Sequence, residues 1–137
     1  MHGLMVRSPW IERILAGHKT WEIRGINTRI RGQIALIRSG SSQILGVCEL
    51  VDVIGPLTLT EMFDNAVKHG ESVESLMNGL PYEKTYAWVL RNARPFIEPI
   101  PYKHPSGAII WVKLPDIKIE QSTATHESVW HHSRYTH

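Results

Sequence analysis

The feature that most constrains this chain is how often it is interrupted. Gly17, Gly32, the turn-rich run SGSS (Ser39 to Ser42), Gly55-Pro56, Gly79 and Pro81 cut it into short apolar segments. Most segments read as strands, and most connections are too short to hold a crossover helix. A doubly wound parallel sheet is therefore excluded. The pattern predicts an α+β fold: a small, closed or nearly closed β-barrel of about six strands, with two or three short helices plugging one side.

The first strand is expected at Met5–Arg7. Ser8 and Pro9 then open a helix, with Ser8 capping and Pro9 at the first helical position. Trp10, Ile11, Ile14 and Leu15 form its apolar stripe, and Gly17 ends it. Strands follow over Thr20–Arg24, Gln33–Arg38 and Ile44–Ile54. Thr58 and Glu61 make a capping box, predicting a helix to about His69. Ser72–Asn78 adds a short helix. A strand resumes at Lys84, PIPYKHPSG reads as a shaped loop because prolines lack ladder donors, and Ala108–Leu114 closes the fold as a strand.

Length and apolar content fit one core: 137 residues, 42% hydrophobic. The domain is expected over residues 1–115. Residues 116–137 form a polar appendage with four of the eight histidines: His126, His131, His132 and His137. Incidental metal affinity is expected of them, since they lack a regular ligand frame. No apolar run is long enough to span a bilayer, and the start lacks the pattern of a signal peptide. A single cysteine, Cys48, excludes an internal disulfide and fits a buried core residue. A cytoplasmic setting is the default. No cofactor or metal motif is present, neither C-x-x-C nor H-E-x-x-H. Net charge is +2, so a nucleic-acid partner would be met at a local site rather than a broad basic face. No DNA-specific motif and no membrane partner is indicated.

The chemistry concentrates in AGHKTWEIRG, with the spacing G-x-K-x-x-E-x-R over Gly17, Lys19, Glu22 and Arg24. Strand alternation puts Thr20, Glu22 and Arg24 on one face and Trp21 and Ile23 on the core face. By parity Lys19 would fall inside. Lysines are almost never buried alone, so the strand is expected to start after Lys19, whose stem bends towards Glu22 and Arg24. Spacing alone favours a solvated strand of compensating charges. The alternative is a site for an anion or a planar nucleobase edge.

GHKTWEIRG resembles the signature of the ASCH family, the activating-signal-cointegrator homology domain, a branch of the PUA-like superfold. RGQIALIRSGS, GVCELVDVIGPLT and YAWVLRNARPF…PIPYKHPSGAIIWVKL follow in the family's order, so the likeness covers Leu4 to Leu114. It implies a β-barrel with a cleft beside the signature strand, and RNA, a nucleotide or a modified nucleobase as partner. It also implies an alternative: a hydrolase, either an N4-acetylcytidine-type amidohydrolase or a ribonuclease. In the deacylating members a Lys, a Thr and a distant Glu carry the chemistry. Lys19 matches the Lys, Glu22 stands where the Thr would be, and Glu61 is the candidate for the distant Glu. A third reading, an adaptor in a larger assembly, comes from cointegrator-type members.

Lys19 and Glu22 are thus the candidate catalytic residues, Glu22 as base and Lys19 as electrostatic donor. Lys19, Glu22, Arg24, Arg38, Ser39, Tyr102 and His104 are the candidate ligand-binding residues. Arg38 would stabilise phosphate, and Ser39 would offer its hydroxyl and amide. Base stacking would use Tyr102, Tyr86 or Trp88. His104 reaches the cleft mouth or is simply a loop histidine held by the backbone. Trp21 and Trp111 alternate with apolar residues and belong to the core.

Overall fold

The computed structural model describes residues 1–117. Six strands form one curled sheet, with four short helices packed against it. The strands are β1 (His2–Val6), β2 (Trp21–Arg24), β3 (Gly32–Arg38), β4 (Gln43–Ile54), β5 (Tyr86–Pro101) and β6 (Trp111–Lys113). The helices are α1 (Trp10–Leu15), α2 (Leu59–Asp64), α3 (Ala66–His69) and α4 (Val73–Met77). The sheet order is β2-β5-β4-β3-β1-β6, so β2 and β6 are edges and the barrel is half closed. All pairings are antiparallel except β1 with β3, whose connection passes through α1 and β2.

The inside of the curl is filled by Leu4, Val6, Ile11, Ile14, Ile34, Leu36, Leu50, Trp88 and Leu90. A second cluster, Trp21, Ile23, Leu57, Met62, Leu76 and Ala87, packs the outer face of β2 under α2 and α4. Both faces of β2 are therefore covered. Cys48 is buried, and burial pushes its thiol up to about 12. Trp21 is core as expected, and half-buried Trp111 stacks on Trp88 with ring centroids 5.6 Å apart.

Several local expectations are corrected. Ser8 does not cap α1: Pro9 is the cap residue, and the Ser8 hydroxyl donates to Glu12. The helix from Thr58 breaks at Asn65. Its side-chain amide donates to the Glu61 carbonyl at 2.8 Å, and its N–H turns to Met62. An Asn side chain competes with the helical ladder in this way. Four helices result rather than two or three. The capping box of Thr58 and Glu61 is present. β5 runs on through Pro99 to Pro101, pairing with Ile44 and Gln43 of β4. Prolines are tolerated there because β2 flanks β5 only over Tyr86–Val89, so the far end is an edge. β6 is only three residues long, since β1 offers it only His2–Leu4 as partners. The polar appendage expected from residue 116 lies outside the described residues after Ile117. Among the described residues, no helix is long and apolar enough to cross a membrane.

β4 and β5 leave no room for a side chain at Gly46. A Cβ there would lie 2.4 Å from the Arg94 carbonyl oxygen and 2.9 Å from Pro95 Cα. Leu15 Cδ2, 2.6 Å away, can shift, but the two backbone atoms cannot. Gly46→Ala is expected to destabilise the protein by about 2 kcal/mol, read as a lower urea midpoint.

Candidate functional site

α1 ends in a tight turn at Gly17, whose φ is +80°, and the chain enters β2 two residues beyond Lys19. Lys19 thus lies on the turn as expected, but the turn does not spare it burial: its stem bends inward. It is only 2% exposed. Nζ donates to the carbonyls of Trp21 (2.6 Å) and His69 (2.5 Å). It also lies 3.7 Å from Glu22 Oε1 and 4.9 Å from the centre of the Trp10 ring. His69 is the last residue of α3, so the ammonium sits at that helix's carbonyl end, where a cation is favoured.

Glu22 stands opposite Trp88 in the β2–β5 ladder, so it shares the inner face of the curl with that ring. It is 6% exposed. Arg24 donates to Glu22 Oε2 twice, from Nε at 3.0 Å and Nη2 at 2.8 Å. Nη2 also reaches the Met5 carbonyl on β1 at 2.7 Å. The guanidinium lies 5.5 Å from the centre of the Trp88 ring. Arg24 therefore spans the gap between β2 and β1 that the open barrel leaves without strand pairing. Lys19, Glu22 and Arg24 come together as the sequence predicts, but as a buried cluster rather than a solvated face.

Burial holds the Lys19 pKa below its ordinary value of 10.5, against the pull of Glu22 and Glu71. With the ammonium spent on two carbonyls and a carboxylate, its geometry is that of a strut.

Glu22 and Arg24 open into a cleft of about 370 Å³, within the range of small-molecule sites. Arg7, Trp10, Ser39, Glu71, Tyr82 and Ile109 also line it. Ser39 is thus where the sequence predicts. Arg38 points to the Gln43 side chain instead, 3.4 Å away, and is not in the lining. Tyr102 and His104 bond each other at 2.8 Å, and His104 Nε2 bonds the Ala108 carbonyl at 2.9 Å. The backbone-held reading of His104 is the one observed, and neither residue lines the cleft. Trp88 is fully buried, its Nε1–H donating to the Ile26 carbonyl, so it cannot stack a base. Tyr86 is half-buried against the core. The aromatic residues lining the cleft are Trp10 and Tyr82.

Glu61 is exposed, and its carboxylate closes the capping box with the Thr58 N–H, outside the cleft. The carboxylate that folding brings in is Glu71, one residue past the left-handed Gly70. Its N–H donates to His69 Nδ1 at 2.9 Å, while His69 Nε2 donates to the Met62 carbonyl at 2.6 Å. That wholly buried histidine fixes the turn carrying Glu71. Sequence reading missed both residues. The one available signal was Gly70, a helix terminator that could have marked the turn. No cluster that could hold a metal ion occurs among the described residues.

The family model of the ASCH domain matches residues 4–101. No curated protein sequence matches the chain. Among solved structures, a crystal structure of an ASCH protein from Zymomonas mobilis is similar, with 16% identity over 73% of this chain and 72% of that one and a TM-score of 0.62. A Ser-to-Ala mutant of the Zymomonas mobilis protein gives 16% identity, 97% and 94% coverage and a TM-score of 0.64. A Tyr-to-Phe mutant gives 19%, 73% and 74%, and 0.60. At such identities the likeness shows the fold alone.

Two outcomes follow from the cluster. Glu22→Gln removes the carboxylate that pairs with both Lys19 and Arg24. It is expected to cost about 3 kcal/mol by urea unfolding. The second concerns pH. Lys19 binds its proton less tightly folded than unfolded, so the unfolded chain holds more protons between the lowered pKa and 10.5. Stability arising at this group must then rise with pH across that window and level off above it. The unfolding free energy of wild type minus that of Lys19→Met should grow as pH climbs towards 10.5.

Proposed function

Because this chain belongs to the ASCH domain family, we propose that it binds RNA, a nucleotide or a modified nucleobase in the cleft beside β2. The observation that carries the reading is the Glu22–Arg24 pair at the base of that cleft. Only Glu22 Oε2 is taken up by Arg24; Oε1 faces Lys19 at 3.7 Å, beyond hydrogen-bond distance. A carboxylate acceptor beside a guanidinium donor matches the mixed donor and acceptor edge of a nucleobase. Trp10 and Tyr82 supply aromatic surface for the ring, and Arg7 supplies charge near the mouth. Lys19 acts here as a positioning residue, holding Glu22 from behind.

One observation favours a hydrolase as the second reading. Burial lowers the Lys19 pKa, and Glu22 and Glu71 are both within its electrostatic reach. A carboxylate in the cleft could act as general base on water, with Arg24 stabilising the developing oxyanion. The two carbonyls that hold Lys19 Nζ weigh against a direct attack by the amine.

Titration with a panel of natural and modified nucleosides, followed by tryptophan fluorescence, separates these readings. Saturable binding is expected in the wild type. It should fall at least tenfold in Arg24→Gln and several-fold in Tyr82→Ala, a substitution at an exposed position. Absence of binding to every nucleoside and to short RNA would overturn the binding reading. Turnover of N4-acetylcytidine or RNA that is lost in Glu22→Gln and Glu71→Gln would establish the hydrolase.

A further inference from the structure

The far end of α1 borders a second and larger hollow, of about 730 Å³. Its floor is apolar, from Ile14 and Leu90, and the turn residues Gly17, Lys19 and Thr20 form one side. The other side is the irregular part of β5, Arg91 to Arg94, with Glu49 of β4 across from it. The β4–β5 register shifts here, and Asn92 has a φ of +52°, so Arg91 and Arg94 both come to the same hollow.

The cations of this hollow outnumber its one carboxylate. Glu49 Oε2 accepts from Arg91 Nε at 2.9 Å and from Asn92 Nδ2 at 3.1 Å. These two bonds hold the Glu49 carboxyl below its usual range, so it stays ionised. The brace uses only Nε, leaving the terminal Nη edge of Arg91 without a partner among the described residues. The Arg94 side chain, also exposed, makes no hydrogen bond or ion pair among the described residues, though Glu49 feels its charge. Two guanidiniums thus face one carboxylate, one of them oriented in advance with its forked edge outward. That is an arrangement for a phosphate oxygen pair.

Position relates the hollow to the cleft. Trp10, at the start of α1, lines the cleft; Ile14, near its end, lines the hollow. Six residues of helix span about 9 Å. Lys19 belongs to the wall of the hollow, while its Nζ lies 3.7 Å from Glu22 in the cleft. The two sites are neighbours across one helix and one side chain.

We propose that the hollow between the end of α1 and Arg91–Arg94 binds phosphate groups of a single-stranded RNA whose base occupies the cleft. This rests on the nucleobase reading of the cleft, and it names the ligand as a strand rather than a free nucleoside. Each phosphate contact releases counterions, so affinity must fall with salt.

The test uses the full chain, a short labelled single-stranded RNA and the free nucleoside that binds best. The RNA is expected to bind more tightly than the nucleoside. In Arg91→Gln/Arg94→Gln the slope of log affinity against log salt should shrink by about 1.4, at roughly 0.7 per lost contact, and nucleoside affinity should not change. Arg94→Glu alone, at an exposed position, is a second variant and should weaken RNA binding further than Arg94→Gln. Unchanged RNA affinity and salt slope in these variants, with folding intact by circular dichroism, would overturn the proposal. Competition by pyrophosphate as effective as by RNA would assign the hollow to a free phosphate compound and overturn the strand. RNA binding that depends on both arginines, with no nucleoside binding at all, would remove the cleft reading while keeping the phosphate site.

Discussion

One buried ammonium group organises this protein. Lys19 Nζ joins four parts of the chain: the turn after α1 that carries it, the first residues of β2, the carbonyl end of α3, and the Trp10 ring at the start of α1. A charge so far from water is costly unless its donors are occupied and a counter-charge is near. Here both conditions hold. The arrangement fixes where β2 begins, where α3 docks and which way Glu22 faces. The outer helices α2 and α4 pack through Met62 and Leu76, while the ammonium ties α3 to the start of β2.

The consequence for the cleft is electrostatic. Glu22 is held from behind by Lys19 and from the side by Arg24, inside a half-barrel whose other inner residues are apolar. Its carboxylate is therefore fixed before any ligand arrives, and little ordering remains to oppose binding. Arg24 does two things at once. It pairs with Glu22, and it ties β2 to the Met5 carbonyl where no strand pairing closes the barrel. Site and fold depend on the same guanidinium, so changes at the site also loosen the barrel.

Much of this was legible in the residues. The breakers Gly17, Gly32, Ser39–Ser42 and Gly55-Pro56 set the strand count, because a short apolar run between turns has little alternative to a strand. Lys19 was the misfit of its strand by parity, and that misfit correctly put it on the turn with its stem bent towards Glu22. Less was legible where one side chain outcompeted the pattern. Asn65 broke a helix that the periodicity carried to His69, and free edge geometry let β5 keep its prolines. Among the predicted ligand residues, Arg38, Tyr102 and His104 fell outside the cleft, because each is directed by neighbours close in sequence: Gln43, one another, and Ala108.

The sequence by itself determined the α+β class, the strand order along the chain, the buried Cys48 and Trp21, and the Lys19, Glu22 and Arg24 grouping. These rest on local periodicity and on spacing within one short segment, which the backbone geometry converts directly into position. Only the tertiary structure decided what completes the cleft. Glu71 and Tyr82 reach it from far along the chain, and Trp10 arrives by the packing of α1. It also decided that Glu61 lies outside the cleft, that Trp88 is core, and that Arg91 and Arg94 share a hollow. Those outcomes depend on sheet register, a bulge and helix docking, which are set by contacts between residues distant in sequence, and no local pattern encodes them.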